Sequence, residues 1–310
     1  MGTPSQDRLA RAQCALEGLS VGDAFGERFF RHKTVLVRLW LRGDGNIRDL
    51  EDQLGSPPWH WTDDTAMAIS IVNVLRECEK IDQEKLAYEF AIQYTAEPRR
   101  GYGPAMHRLL PQLRRSKAWQ SAPSGLFSNQ GSFGNGAAMR VAPVGAYFAD
   151  DLDAVVEQAR RSAIVTHAHP EGVAGAIAAA VATAIVWQVR ESAKPTPQEF
   201  LDRVSSLTPE SEVASKIRLG RDLKPEATIQ EAVATLGNGS QVTGQDTVPF
   251  VLWSAAHHLD NYEEALWATV SGLGDMDTTC AIVGGIVVMY IGLDGIPDRW
   301  RQNREILPAQ

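Results

Sequence analysis

Apolar residues recur along this chain at intervals of three and four. Leu9, Ala12, Leu16 and Leu19 form one such stripe, and Met67, Ile71, Val74, Leu75 and Cys78 form another. That spacing puts the side chains on one face of a 3.6-residue helix, so both segments are predicted to be amphipathic helices. Comparable stripes mark residues 84–95, 152–165, 172–190, 198–206, 228–236, 247–258, 262–270 and 277–291. No segment shows the sustained alternation of a half-buried strand. The prediction is an all-α fold, with residues 1–310 forming a single domain. Two stretches rich in turn formers interrupt the helices. Residues 43–61 contain Gly43, Gly45, Gly55, Pro57 and Pro58, and residues 120–138 contain Pro123, Gly125, Gly131, Gly134 and Gly136. Both are long for plain connections, which makes each a candidate for lining a site.

Composition narrows the classes of function. Hydrophobic residues make up 44% and charged residues 22%, enough apolar material for a packed core and too much for disorder. The net charge of -8 argues against a nucleic-acid partner, and the short basic runs Arg99-Arg100 and Arg114-Arg115 do not reverse it. Cys14, Cys78 and Cys280 are odd in number and widely spaced, with no CxxC pair, so neither a disulfide framework nor a zinc site is suggested and a reducing compartment fits best. The N-terminal MGTPSQDRLARAQ lacks the apolar core of a secretory signal. The longest apolar stretch is taken as Cys280 to Leu293, short of the ~20 residues that cross a bilayer. A cytoplasmic location without membrane association is expected, as is a monomer.

Two acidic clusters share one grammar. In Trp61-Thr62-Asp63-Asp64-Thr65 the threonine stands where an N-cap belongs, directly before the Met67 stripe, and both aspartates fall in the first turn. Carboxylates there complement the helix dipole, which is a purely structural explanation. Gly274-Asp275-Met276-Asp277-Thr278-Thr279 repeats the arrangement before a second apolar helix. Together the clusters supply hard oxygen ligands of the kind magnesium prefers, in a number that suits a metal pair. An EF-hand loop is excluded because the central glycine and distal glutamate are missing. Asp275-Met276-Asp277-Thr278-Thr279 also meets the Asp-x-Asp-x-Thr pattern of haloacid-dehalogenase-like phosphatases, but no strand precedes it and only about thirty residues follow.

The landmarks Gly22-Asp23-Ala24-Phe25-Gly26, Trp61 to Thr65, Arg100-Gly101-Tyr102-Gly103, Gly131 to Arg140, Thr166-His167 and Gly274 to Thr278 occur in an order and spacing that resembles the ADP-ribosylglycohydrolases. The resemblance extends over nearly the whole chain. It implies a compact orthogonal helical bundle and a hydrolase that cleaves the glycosidic bond between ADP-ribose and an acceptor, such as an arginine or serine side chain of a modified protein. It further implies that Thr62, Asp63, Asp64, Asp275, Asp277 and Thr278 ligate two magnesium ions, with manganese as the alternative metal. Asp63, Asp64 and Asp277 become the catalytic candidates. By the same resemblance Gly131, Ser132, Phe133, Gly134, Asn135 and Gly136 approach the diphosphate and distal ribose, with glycine permitting close backbone contact. Phe133 would lie at the adenine, His167 near the diphosphate, and Tyr102 and Gly103 along the border of the nucleotide pocket. Arg140 and Met139 are expected to tie the loop to the next helix, and His169 to be solvated or capping.

One position departs from the family. A glutamate is usual four residues after Gly26, where this chain has Phe30; Glu27, immediately after Gly26, is the acidic residue available to replace it. Leu273 and Met276 stand where glycine and threonine are common. Two other readings compete with glycosidic hydrolysis: a metal-dependent phosphatase or nucleotide hydrolase, and a catalytically retired ADP-ribose-binding protein.

Overall fold

The computed structural model describes residues 4–32, 34–36, 47–115 and 117–308. Within them the chain forms α1 (Pro4–Glu27), α2 (Asp63–Cys78), α3 (Gln83–Ala96), α4 (Ala142–Tyr147), α5 (Leu152–Ile164), α6 (Pro170–Val189), α7 (Pro197–Leu207), α8 (Glu212–Asp222), α9 (Ile229–Leu236), α10 (Gly244–His257), α11 (Tyr262–Ser271), α12 (Met276–Ile291) and α13 (Asp298–Asn303), joined by short one-turn and 3-10 segments. No strand occurs among the described residues beyond two isolated bridges, Trp59 with Arg304 and Gly134 with Thr243. The all-α prediction holds. Each stripe named from the sequence lies on a helix, whereas α8 carried no readable stripe because Lys216, Arg218 and Arg221 crowd its surface around the buried Val213, Ala214 and Ile217. Gly43 and Gly45 of the first turn-rich stretch lie outside the described residues.

The layers assemble around α6 and α12. Helix α6 packs against α4, α5, α7, α8, α10 and α12. It corrects the expectation about apolar length: Pro170–Val189 is 20 residues of mean hydropathy 1.8, longer than the 280–293 stretch, and 83% of its apolar window is buried. Small alanines and β-branched residues make every face of α6 apolar, so it serves as a core helix surrounded by others.

Helix α1 crosses α12 with their backbones almost touching. A β-carbon built on Gly22 would stand 2.1 Å from the Cys280 carbonyl oxygen, one on Gly26 would stand 2.1 Å from that of Met276, and Gly18 and Gly284 face each other at 2.5 Å. Glycines at every fourth position of α1 therefore form a groove into which the α12 backbone sinks. Next to the groove Phe25 stacks on Trp300 at 4.3 Å and meets Trp267 edge-on at 5.0 Å, which anchors the C-terminal end of α1. The consequence for function is positional. Asp23 and Glu27, each one residue beyond a groove glycine, are carried to the first turn of α12.

Gly22→Ala is expected to lower unfolding stability by about 3 kcal/mol, because the methyl meets immobile backbone rather than a side chain that can turn away. Gly103→Ala, whose β-carbon would meet nothing within 4 Å, is the matched control and leaves stability close to the parent value. Urea unfolding of the three proteins provides the measurement.

Candidate active site

Thr62 ends the chain's approach to α2 in extended conformation and caps it, its hydroxyl accepting from the Asp64 N–H at 3.4 Å. A third acid fixes this corner. Asp23, fully buried on α1, accepts hydrogen bonds from the Thr62 N–H (2.9 Å), the Thr62 hydroxyl (2.9 Å), the Thr65 N–H (3.1 Å) and the Thr65 hydroxyl (2.5 Å). It therefore holds both threonines that flank Asp63 and Asp64. From the other side the Arg100 carbonyl accepts from the Asp63 N–H at 2.6 Å. The Arg100 guanidinium lies 3.5 Å over the Trp61 ring and forks onto Glu305 at 2.7 and 2.8 Å.

The second cluster is arranged differently. Asp275 precedes α12 without capping it; its carboxylate instead accepts from the side-chain amide of Asn135 at 2.7 Å, and that amide also donates to Thr247 at 3.0 Å. Asp277 accepts from the Thr278 N–H at 2.8 Å. Leu273 adopts φ +60 directly before Gly274 at φ +76, a left-handed pair in which position 273 would suit glycine better than leucine.

The two clusters meet at the floor of a cavity of about 520 Å³. Asp63, Asp64, Asp275, Asp277 and Thr278 line it together with Ser132, Phe133, Gly134, Asn135, Gly136, Gly103 and His167. Thr62 and Glu27 open instead into an adjoining cleft of about 640 Å³, with Trp61, Arg100, Glu305, Gly101 and Asp277. Gly101 and Asp277 border both spaces. Phe30 turns away into a 3-10 turn and packs on the core, so Glu27 is the glutamate that α1 delivers to this region.

Several expectations need correction. Tyr102 does not border the cavity: its ring is buried edge-on against Tyr94 at 5.1 Å, and only the flanking Gly101 and Gly103 reach the lining. The cause is the left-handed Gly101, at φ +95, which turns the next side chain into the core. Asn135 does line the cavity, with its side-chain NH2 group held by Asp275 and Thr247. Gly131, at φ +75, packs against the backbone of Ala168 and His169 and forms the turn that launches the loop. Within the loop the Gly134 N–H already donates to the Ser132 hydroxyl (3.2 Å) and the Asn135 N–H to the Val242 carbonyl (3.3 Å). Arg140 reaches past the neighbouring helix to the Ser162 carbonyl and the Thr166 hydroxyl. His169, by contrast, is the capping histidine expected: it caps α6, accepting from the Glu171 N–H at 3.1 Å.

Two residues escaped the sequence reading. Asp23 stood within the first landmark, but nothing in the sequence told a single acid on α1 from a solvated one. Phe127 lines the cavity beside Phe133, ring centroids 6.0 Å apart, and Phe133 also meets the His169 ring at 5.4 Å. An aromatic inside a turn-rich stretch was the available signal.

Electrostatics set the character of the floor. Burial, opposed by the hydrogen bonds from Thr62 and Thr65, raises the pKa of Asp23 to about 6; burial reinforced by neighbouring carboxylates raises that of Asp63 to about 8 and holds Asp64 and Asp277 well above the ordinary carboxylate range. One oxygen of Asp64, Oδ1, is buried with no hydrogen-bond partner. Such a concentration of hard, repelling oxygen donors suits a divalent cation. Among the described residues, however, no three Asp, Glu, His or Cys side chains already stand in cation-holding geometry, because the carboxylates are directed at Thr62, Asn135 and the Thr278 N–H.

Comparison with known proteins places this geometry. A family model described as ADP-ribosylglycohydrolase matches residues 4–307. The chain is 29% identical to the ADP-ribosylhydrolase ARH3 of Homo sapiens, covering 96% of this chain and 90% of that protein. It is 30% identical to ARH3 of Xenopus tropicalis over 96% and 91% of the two chains, and 32% identical to an uncharacterized protein of Archaeoglobus fulgidus over 94% and 91%. A solved structure described as an ADP-ribosylglycohydrolase-related protein complex superposes with a TM-score of 0.66 at 22% identity, covering 97% of this chain and 94% of that one, which shows the shared fold.

The raised carboxyls predict a pH dependence with a definite sign. Asp63 keeps its proton up to about pH 8 in the folded protein but loses it near pH ~4 when unfolded, so folding binds protons between those values and stability falls as pH rises through them. With divalent cations chelated, the parent should lose stability relative to Asp63→Asn as pH is raised from about 5 to about 8. Parallel urea-unfolding profiles for the two proteins would contradict the assignment.

Proposed function

The chain belongs to the ADP-ribosylglycohydrolase family and is an ADP-ribosyl hydrolase, and from that premise we propose that it is a magnesium-dependent enzyme that frees ADP-ribose from a glycosidically linked acceptor, with the scissile bond held over Asp63, Asp64 and Asp277. The observation that carries this reading is the meeting of both acidic clusters at the floor of a cavity whose walls are the glycine-rich loop, His167 and two aromatic rings. A volume of about 520 Å³ is within the range of small-molecule sites.

In this reading Phe133 and Phe127 sandwich or edge the adenine, while His167 and the loop around Ser132 to Gly136 meet the diphosphate and distal ribose. The proximal ribose then lies over the acids. Thr62, Asp63, Asp64, Asp275, Asp277 and Thr278 would hold two magnesium ions, whose chemistry when bound is to offset the carboxylate charge, orient the ribose hydroxyls and acidify water. Hydrolysis at the anomeric carbon passes through an oxocarbenium-like state, so the site must orient the ribose and deliver water. A carboxylate among Asp63, Asp64 and Asp277 accepts the proton of the attacking water. Asn135 orients Asp275 at the cavity floor, and Asp23 keeps Thr62 in place. The acceptor leaves on the side of the second cleft, between Glu27, Trp61 and Arg100, because Asp277 and Gly101 are common to both spaces.

The phosphatase and retired-enzyme readings are separated from this one by product. Magnesium-dependent release of intact ADP-ribose is expected from at least one member of a panel of arginine-, serine- and nucleotide-linked conjugates, with Asp64→Ala and Asp277→Ala each losing at least about a hundredfold in kcat. Inorganic phosphate or AMP as product would favour the phosphatase, and tight ADP-ribose binding without turnover would favour the retired enzyme. Phe133→Ala should weaken ADP-ribose binding about tenfold by calorimetry, the typical loss when one base-stacking ring is removed.

A further inference from the structure

Beneath the cavity wall lies a buried polar chain made of Arg140, Thr166 and His167. Arg140 is fully buried, and its guanidinium sits 4.5 Å over the Phe90 ring. It donates through Nη2 to the Ser162 carbonyl at 3.1 Å and to the Thr166 hydroxyl at 2.8 Å; Nε is buried without a partner, and no carboxylate forms an ion pair with it among the described residues. The Thr166 oxygen in turn stands 2.7 Å from His167 Nδ1.

Proton counting gives this chain a direction. A guanidinium has no acceptor, so the Thr166 oxygen must accept from Arg140. The buried hydroxyl proton still needs an acceptor, and His167 Nδ1 is the one that the described residues offer it. A bare Nδ1 puts the ring proton on Nε2. That edge of the ring faces the loop: β-carbons built on Gly134 and Gly136 would lie 3.3 and 3.1 Å from Nε2. No described residue hydrogen-bonds Nε2, and His167 lines the cavity. Burial and the nearby guanidinium also keep the ring from taking a second proton, with a pKa lowered to about 3.

We propose that Thr166, oriented by Arg140, locks His167 in the neutral Nε2–H tautomer and thereby makes it a fixed hydrogen-bond donor to an anionic oxygen of the bound ligand. Thr166 and Arg140 are positioning residues that act through His167. The lock stands on the hydrogen-bond geometry alone, whereas the identity of the ligand, a diphosphate, rests on the ADP-ribose reading above.

The ring can be read directly. Full-length protein labelled with 15N in histidine would be recorded by long-range proton–nitrogen NMR for the parent, Thr166→Val and Thr166→Ser, with His167→Gln identifying the ring signals. The parent should show a protonated Nε2 and a bare Nδ1, and Thr166→Ser should keep that pattern. Thr166→Val should give a mixture of tautomers and an ADP-ribose Kd raised about tenfold, the loss of roughly one well-made hydrogen bond, with serine restoring both. A parent ring protonated on Nδ1, or a Thr166→Val ring still wholly Nε2–H, overturns the lock; a shifted tautomer with unchanged Kd overturns the donor role. If Thr166→Val does not fold, the parent spectrum alone decides the tautomer. A parent with the Nε2–H ring that binds no ADP-ribose removes the ligand reading, and with it the donor role, while the lock stands.

Discussion

The close crossing of α1 and α12 is the constraint on which the site depends. Acids do not gather spontaneously, and four or five of them in a buried space need a frame that holds them against their repulsion. Here the frame is steric. Gly18, Gly22 and Gly26 let the α12 backbone sit where side chains would normally keep two helices apart, and the contact is immobile because both surfaces are main chain. With that contact made, Asp23 reaches Thr62 and Thr65 on α2, so α1 becomes the common support of both acidic clusters. The aromatic cluster around Phe25 and Trp300 keeps the end of α1 from fraying beneath it.

Charge balance around the floor explains the second ring of polar residues. Arg140 is the cation whose field reaches Asp63, yet it touches none of the acids and spends its donors on Ser162 and Thr166. Arg100 is neutralised by Glu97 and Glu305 and held flat on Trp61. The protein thus surrounds its carboxylates with groups that orient them and withholds the direct ion pairs that would satisfy them. A site built this way leaves Asp63, Asp64 and Asp277 without an ion-pair partner among the described residues.

How much of this could be read from the sequence depended on how local the cause was. Helical stripes and the Thr62 cap are local, and they were legible. The 20-residue apolar length of α6 was underweighted because half of its apolar residues are alanines, and α8 was hidden because charges outnumber its buried positions. The acidic clusters, the glycine-rich loop and His167 were all brought together by the fold. What could not be read was direction. Whether Tyr102 faces the cavity turns on the backbone angle of Gly101, and whether Asn135 serves a ligand or Asp275 turns on a contact between residues far apart in the chain. Asp23 belongs to the same class: its partners are on another helix, and no spacing rule links them.

The two halves of the acidic floor also arise at opposite ends of the order in which the chain is made. Asp23, Asp63 and Asp64 leave a ribosome well before Asp275, Asp277 and the helix that completes the α1 crossing. Until then the groove glycines of α1 lack the partner they have in the folded chain, and Asp275 and Asp277 are not yet present to repel the earlier acids. Docking of α12 is therefore the step at which packing energy and carboxylate repulsion are settled together, and a nascent chain can accumulate most of its core before the destabilising part of its active site exists.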